Sequence, residues 1–162
     1  MRTDAWEIKP ANGVVLGQLR FRKNWEISFH FQPTQVGSNW ESFIRLTDGP
    51  KTGSNIVRVI GLWLKPGTLE PRLHYIVNGD GKTPLIDYPA INLRQWNSFV
   101  ISQQKSENGR IAIQTTINGI KYPAIVNPVP VEYPKMKIYH GGADTGHNTA
   151  SGLMKNLIIK TW

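Results

Sequence analysis

The chain has 162 residues, 19 Lys and Arg against 11 Asp and Glu, a formal net charge of +8 and no cysteine. That length suits one domain with a real core; six Trp, five Tyr and five Phe exclude a disordered chain, and the absence of cysteine excludes disulfides, thiolate metal sites and a thiol nucleophile. No apolar run approaches the roughly 18 residues of a membrane span. The stretch Met1–Pro10 lacks the apolar core of a secretory signal, so any such signal has been cut off or never existed.

Short alternating runs separated by turn residues fill the chain from end to end. The first is Val14–Phe21. The cleanest is Trp25–Gln32, with Trp25, Ile27, Phe29 and Phe31 on one face and Glu26, Ser28, His30 and Gln32 on the other, the period of a half-buried antiparallel strand. Glu41–Thr47, Val57–Lys65, Arg72–Val77 and Leu85–Tyr88 follow, then Trp96–Gln104, Arg110–Ile117, Ile120–Val126, Met136–His140 and Leu153–Thr161. Asn108-Gly109 predicts a hairpin between Trp96–Gln104 and Arg110–Ile117, and Asn118-Gly119 a two-residue one into Ile120–Val126. Asp48-Gly49, Asn78-Gly79, Asp80-Gly81 and Gly141-Gly142 mark further reversals. Asn127–Pro134 holds three prolines and predicts an extended connection or sheet edge. No window shows a 3.6-residue apolar stripe. The pattern predicts an all-β fold: an antiparallel β-sandwich of jelly-roll type, with about eleven strands or more and almost no helix. Its inward rows are Ile27, Phe29, Phe31, Ile44, Leu46, Ile60, Leu62, Phe99, Ile101, Ile111, Ile113, Ile117, Leu157 and Ile159, with Trp25 and Trp96 also assigned to the core by phase.

The order of these strands is familiar. Trp25–Pro33 (WEISFHFQP) leads into Trp40–Gly49 (WESFIRLTDG), the Trp63 strand, the Asn78–Gly81 turn and Leu93–Gln103 (LRQWNSFVISQ). Thr116–Lys121 (TINGIK) and Gly152–Thr161 (GLMKNLIIKT) complete the series. This resembles the concanavalin A-like and laminin-G-like jelly rolls over roughly residues 14–161. The resemblance implies a lectin-like fold shared by lectins, adhesion modules, pentraxin-like proteins and polysaccharide hydrolases, so function must be argued from the site. Phe29–Pro33 (FHFQP), Trp40-Glu41 and Arg45 also partly match a galectin signature. Gln32 stands in place of its Asn, Thr34 in place of its Arg, and the Trp follows far too soon; the match is read as coincidence.

Hydrolysis of a sugar chain needs two carboxylates about 5–10 Å apart. No two of the acids here lie within two residues of each other; Glu26 and Glu41 are the pair that neighbouring strands would assemble, and solvated carboxylates explain them better. The histidines are His30, His74, His140 and His147, and no Gly-x-Ser-x-Gly elbow accompanies them. The expectation is therefore a protein that is not an enzyme, with hydrolysis as the second alternative. For metals, His140, His147 and Asp144 form a set that a loop would wrap around zinc, while Asp144, Thr145 and Asn148 with Asp48 would suit calcium. A plain polar loop is the preferred reading, so no cofactor is expected and calcium is the weaker alternative.

A sugar site needs an aromatic platform and a few planar polar groups. Trp40 follows the polar Gly37-Ser38-Asn39 and suits a rim. Trp63 shares its face with Gly61, opposite Ile60, Leu62 and Leu64, so it either points outward or packs under a loop. Arg45 and His30 alternate with core residues, and His74 lies between Leu73 and Tyr75. The candidate ligand-binding residues are thus His30, Trp40, Arg45, Trp63, His74, Asp144, His147 and Asn148. Glycan binding or adhesion through ring stacking and hydrogen bonds is the leading function, which places the protein outside the cell. A protein-interaction domain holding a polyanion, such as a sulfated glycan, through the basic surface is the alternative. Nucleic acid is disfavoured because no recognition helix appears. Open sandwich edges leave homo-oligomers available.

Overall fold

In the computed structural model, residues 11, 13–47, 58–75, 84–106, 108–141 and 148–162 are described. Among them no helix occurs, and thirteen strands follow one another. They are β1 (Val15–Phe21), β2 (Trp25–Pro33), β3 (Glu41–Thr47), β4 (Arg58–Leu64), β5 (Pro71–Tyr75), β6 (Leu85–Asp87), β7 (Asn97–Lys105), β8 (Ile111–Ile117), β9 (Ile120–Lys121), β10 (Ile125–Val126), β11 (Tyr133–Tyr139), β12 (Asn148–Thr149) and β13 (Gly152–Thr161). Ten of the eleven expected runs hold within a few residues. The run Ile120–Val126 instead divides into two short strands, β9 and β10, and β12 was not anticipated.

The strands form two sheets. One has the order β1-β11-β3-β4-β5-β6, with the two-residue β12 pairing parallel to β3; the other runs β10-β8-β7-β2-β13, with β9 on β8. Between them lies one apolar cluster. Alternation places Ile27, Phe29 and Phe31 of β2 against Phe99 and Ile101 of β7, and Phe43 fills the space from the opposite sheet. Phe29 stacks on Phe99 at 4.9 Å and Phe31 on Phe43 at 4.7 Å. A bulge between Ser42 and Ile44 lets both Phe43 and Ile44 point inward. Removing any one of these rings costs about 3–5 kcal/mol.

Two sequence assignments to the core are corrected. Ile111 is half-buried because it opens β8 at the margin of its sheet. Trp96 stands on the outer face of the six-stranded sheet, where the Lys155 ammonium lies 3.9 Å from its ring centroid. Its even position shares phase with Ser98, not with Phe99 and Ile101, and only the odd set faces the core.

The turn between β8 and β9 behaves as its residues require. Asn118 and Gly119 both have positive φ, 51° and 79°, the two-residue geometry for which Asn-Gly is favoured. Asn118 also reaches into a buried amide network. Its Nδ2 donates to Asn97 Oδ1 at 2.9 Å, and its Oδ1 accepts from Ser98 N at 2.9 Å. Asn97 Nδ2 donates in turn to the carbonyls of Asn92 and Gln95. Every polar atom of the fully buried Asn97 side chain is thereby used, as burial demands.

Candidate functional site

On the outer face of the seven-stranded sheet, a pocket of about 220 Å³ is lined by Trp40, Trp63, Arg72 and His74. Strand register assembles it. On β4, Ile60, Leu62 and Leu64 enter the core, leaving Gly61 and Trp63 on the outer side. On β5, Pro71, Leu73 and Tyr75 are buried while Arg72 and His74 alternate outward. Gly61 pairs with His74, and Trp63 with Arg72. The indole of Trp63 leans back over Gly61: a Cβ there would stand 2.8 Å from Trp63 Nε1. Glycine at 61 is what makes room for the ring, and the ring then meets His74 with centroids 5.7 Å apart.

The polar wall is built by ion pairing. Arg72 pairs in register with Asp87 of β6, donating from Nε to Oδ1 at 2.6 Å and from Nη2 to Oδ2 at 2.9 Å. This fork-to-fork geometry fixes the guanidinium plane. Lys65 Nζ lies 2.6 Å from Glu70 Oε2 and 3.5 Å from Asp87 Oδ2. The hydrogen bond from Arg72 holds the Asp87 carboxyl down at about 2, with the charges of Arg72 and Lys65 adding to the effect. The guanidinium carbon of Arg72 sits 4.6 Å from the centroid of the Trp40 ring, a cation–π stack that holds the half-buried indole at the rim.

The structure gathers only some of the sequence candidates. Trp40, Trp63 and His74 line the pocket together. Asn148 lies beside them, its backbone N–H donating to the Trp40 carbonyl at 3.2 Å. Arg45 pairs with Gly61 on the expected outer face but is 1% exposed. Ser42, Thr47 and Tyr139 on the same face are also buried, so the middle of this face is covered and the expected open basic surface is replaced by a pocket at its margin. His30 is elsewhere: it projects from the outer side of β2 in the six-stranded sheet, beside Lys155 and Ser98. Alternation gave its phase correctly, but sheet membership depends on long-range pairing. Asp144 and His147 lie outside the described residues, as do Asp48 and Thr145. His140 is fully buried, and no cluster of three metal-ligating side chains occurs among the described residues.

Glu26 and Glu41 do not sit on neighbouring strands. Glu26 is on the outer face of the six-stranded sheet with Lys160 Nζ at 3.1 Å. Glu41 opens β3 in the other sheet, buried against Gly37, where desolvation pushes its carboxyl above the ordinary value. The residues that sequence reasoning missed are Arg72, Asp87 and Lys65. Their signal was the alternation of Arg72 with Leu73, which required knowing that Asp87 would lie opposite.

Two largely antiparallel sheets in this order, enclosing one core, form a concanavalin A-like jelly-roll β-sandwich. Among particular proteins, the structure is similar to sheep galectin-11, solved in complex with glycerol, at 12% identity over 93% of this chain and 98% of that one (TM-score 0.56). It is similar to an endo-β-1,4-glucuronan lyase from the fungus Trichoderma reesei at 8% identity, covering 98% and 74% of the two chains (TM-score 0.61). A sialidase from Streptococcus pneumoniae matches at 11% identity over 99% of this chain and 26% of its own length (TM-score 0.66). No family model matches the chain, and no curated protein matches it in sequence. At these identities the likeness is one of fold.

Proposed function

We propose that the protein binds a saccharide in the Trp40–Trp63–Arg72–His74 pocket and releases it unchanged. The observation that carries this reading is the joining of two indoles to a charge-fixed guanidinium around one small cavity. A sugar ring asks for that combination: apolar faces for its C–H groups and rigid donors and acceptors for its hydroxyls. Asp87 occupies two of the guanidinium donor positions and leaves the others for a ligand. At about 220 Å³ the cavity is below the 300–1,000 Å³ usual for drug-sized ligands, a size suited to a single ring at a chain end or branch. Similar folds belong to proteins whose names specify carbohydrate ligands or substrates: a Trypanosoma rangeli sialidase in complex with sialic acid, and lyases for glucuronan and alginate.

The non-catalytic part of the reading rests on how the acids among the described residues are used. Asp87 and Glu70 are engaged by cations, and Glu26 and Glu41 belong to opposite sheets. A glycan array run with and without a chelator tests the proposal together with calcium dependence. Binding that survives chelation and is lost in Trp40→Ala and Arg72→Ala supports it. A blank array, or cleavage of an arrayed glycan, overturns it.

A further inference from the structure

We propose that the end of the sandwich where β2 begins is a second binding site, for a sulfated polysaccharide, sharing no residue with the pocket on the other sheet. Strand register collects the cations there. β7 ends at Lys105, which pairs with Ile111, and Ser106 N donates to the Arg110 carbonyl at 2.7 Å, so Lys105 and Arg110 flank one hairpin turn. Two residues back along β7, Gln103 pairs with Trp25 and its side-chain amide donates to the Lys23 carbonyl at 2.6 Å. That bond brings the β1–β2 turn, with Arg22 and Lys23, beside the hairpin. On the far side Trp25 pairs with Thr161, and Trp162 N donates to the Asn24 carbonyl at 3.1 Å. Strands about 4.8 Å apart place Arg110, Lys105, Lys23 and Trp162 across about 15 Å.

Arg22, Lys23, Lys105 and Arg110 are all exposed. Two described acids near this end are already paired: Glu26 with Lys160 and Glu132 with Arg20, each at 3.1 Å. Glu107, between Lys105 and Arg110 in the sequence, still leaves an excess of three positive charges among these five residues. Four exposed cations at one end of the sheet repel one another and form none of the ion pairs found among the described residues. Their common use is a dense polyanion, whose release of condensed counterions drives binding. Sulfate esters repeated along a sugar chain need only such point charges, and the Trp162 ring, 50% exposed, offers a face for one pyranose. Nucleic acid is a poorer match. No helix among the described residues can enter a major groove, and one exposed indole is not the row of stacking aromatics that single strands require.

The test measures binding of a fluorescein-labelled heparin fragment to the full chain by anisotropy over a series of salt concentrations. The exposed double variant K105Q/R110Q removes two contacts. At a slope of about 0.7–0.9 per contact, affinity at 0.1 M salt should fall about 25- to 60-fold, and the slope of log affinity against log salt by about 1.4–1.8. The matched variant R94Q/K121Q, whose cations sit at the opposite end of the same sheet, should change affinity little. Equal losses in the two variants would show a diffuse charge effect and overturn the proposal. Undiminished binding of desulfated heparin, no binding of heparin at 0.1 M salt, or tighter binding of a DNA oligomer of equal charge would each overturn it as well. None of these outcomes depends on the pocket, which the glycan array tests separately.

Discussion

Gly61→Ala isolates the contact on which the pocket rests. The new Cβ would lie 2.8 Å from Trp63 Nε1, and that ring, 2% exposed, cannot shift without disturbing its contact with His74. Two opposed effects set the sign. Gly61 is absent from the positive-φ glycines, so alanine gains about 0.4–1 kcal/mol by narrowing the unfolded ensemble. Forcing an extra carbon into a packed site costs about 1–3 kcal/mol. The collision outweighs the gain over nearly all of these ranges, with a net loss of up to about 2.5 kcal/mol; at about 2–4 °C per kcal/mol for this chain length, Tm should fall by up to about 10 °C. Thermal unfolding by circular dichroism reads this, and the displaced indole should shift the tryptophan emission. The control is the same substitution in a Trp63→Phe background. Without Nε1 the collision disappears, and Gly61→Ala should turn neutral or stabilising, a reversal that a double-mutant cycle detects. If Gly61→Ala raises Tm in both backgrounds, the indole does not lie over Gly61 and the account of the pocket fails.

Tyr88→Phe should lower stability by about 1–2 kcal/mol, because the Tyr88 hydroxyl donates to Thr115 Oγ1 at 2.8 Å between the two sheets and both residues are buried; urea unfolding measures it, and an unchanged midpoint would deny the bond. The same burial pushes the Tyr88 phenol up to about 12, so the part of the tyrosinate absorbance that Tyr88→Phe removes should be the part that appears only at strongly alkaline pH. Asp87, held at about 2 against an ordinary 3.8, contributes stability that is full above the higher value and is lost as pH falls toward the lower one. With its side chain 42% exposed, screening limits the effect to no more than about 1 kcal/mol. Asp87→Asn should flatten that acid limb and weaken saccharide binding at neutral pH by loosening Arg72. Glu41 has the opposite sign. Its carboxyl is raised above 4.5 by burial, so the folded chain holds the proton more tightly and stability declines as pH rises through the folded value. Glu41→Gln should remove that decline and be about 1 kcal/mol more stable at pH 7; equal pH profiles for the two proteins would contradict it.

Much of the scaffold was legible because alternation is local. Trp25–Gln32 announced which side chains face inward, and Asn118-Gly119 announced its hairpin through a dipeptide that readily takes two positive φ values. Sheet membership is set by pairing across distant segments, so His30 and His74 read alike in sequence but project from opposite sides of the molecule. The two-residue β12 is too short to carry a period. Trp63 combined both of its possible readings, being packed almost out of solvent and still lining the pocket through the space that Gly61 leaves. The Arg72–Asp87 clamp was hidden because its partners are 15 residues apart in the chain and meet only through the β5–β6 register.

The amide clamp at the β8–β9 turn bears on how the protein ages. An asparagine followed by glycine is open to cyclisation, in which the glycine nitrogen attacks the side-chain carbonyl and leaves isoaspartate behind. In Asn118 that carbonyl oxygen accepts from Ser98 N and the amide nitrogen donates to Asn97, so the group must release both bonds before it can swing toward Gly119. Peptide mapping after long storage should find Asn118 intact in the native chain and rapidly converted in Asn97→Ala. The residues that hold a strand in register thus also slow its chemical clock.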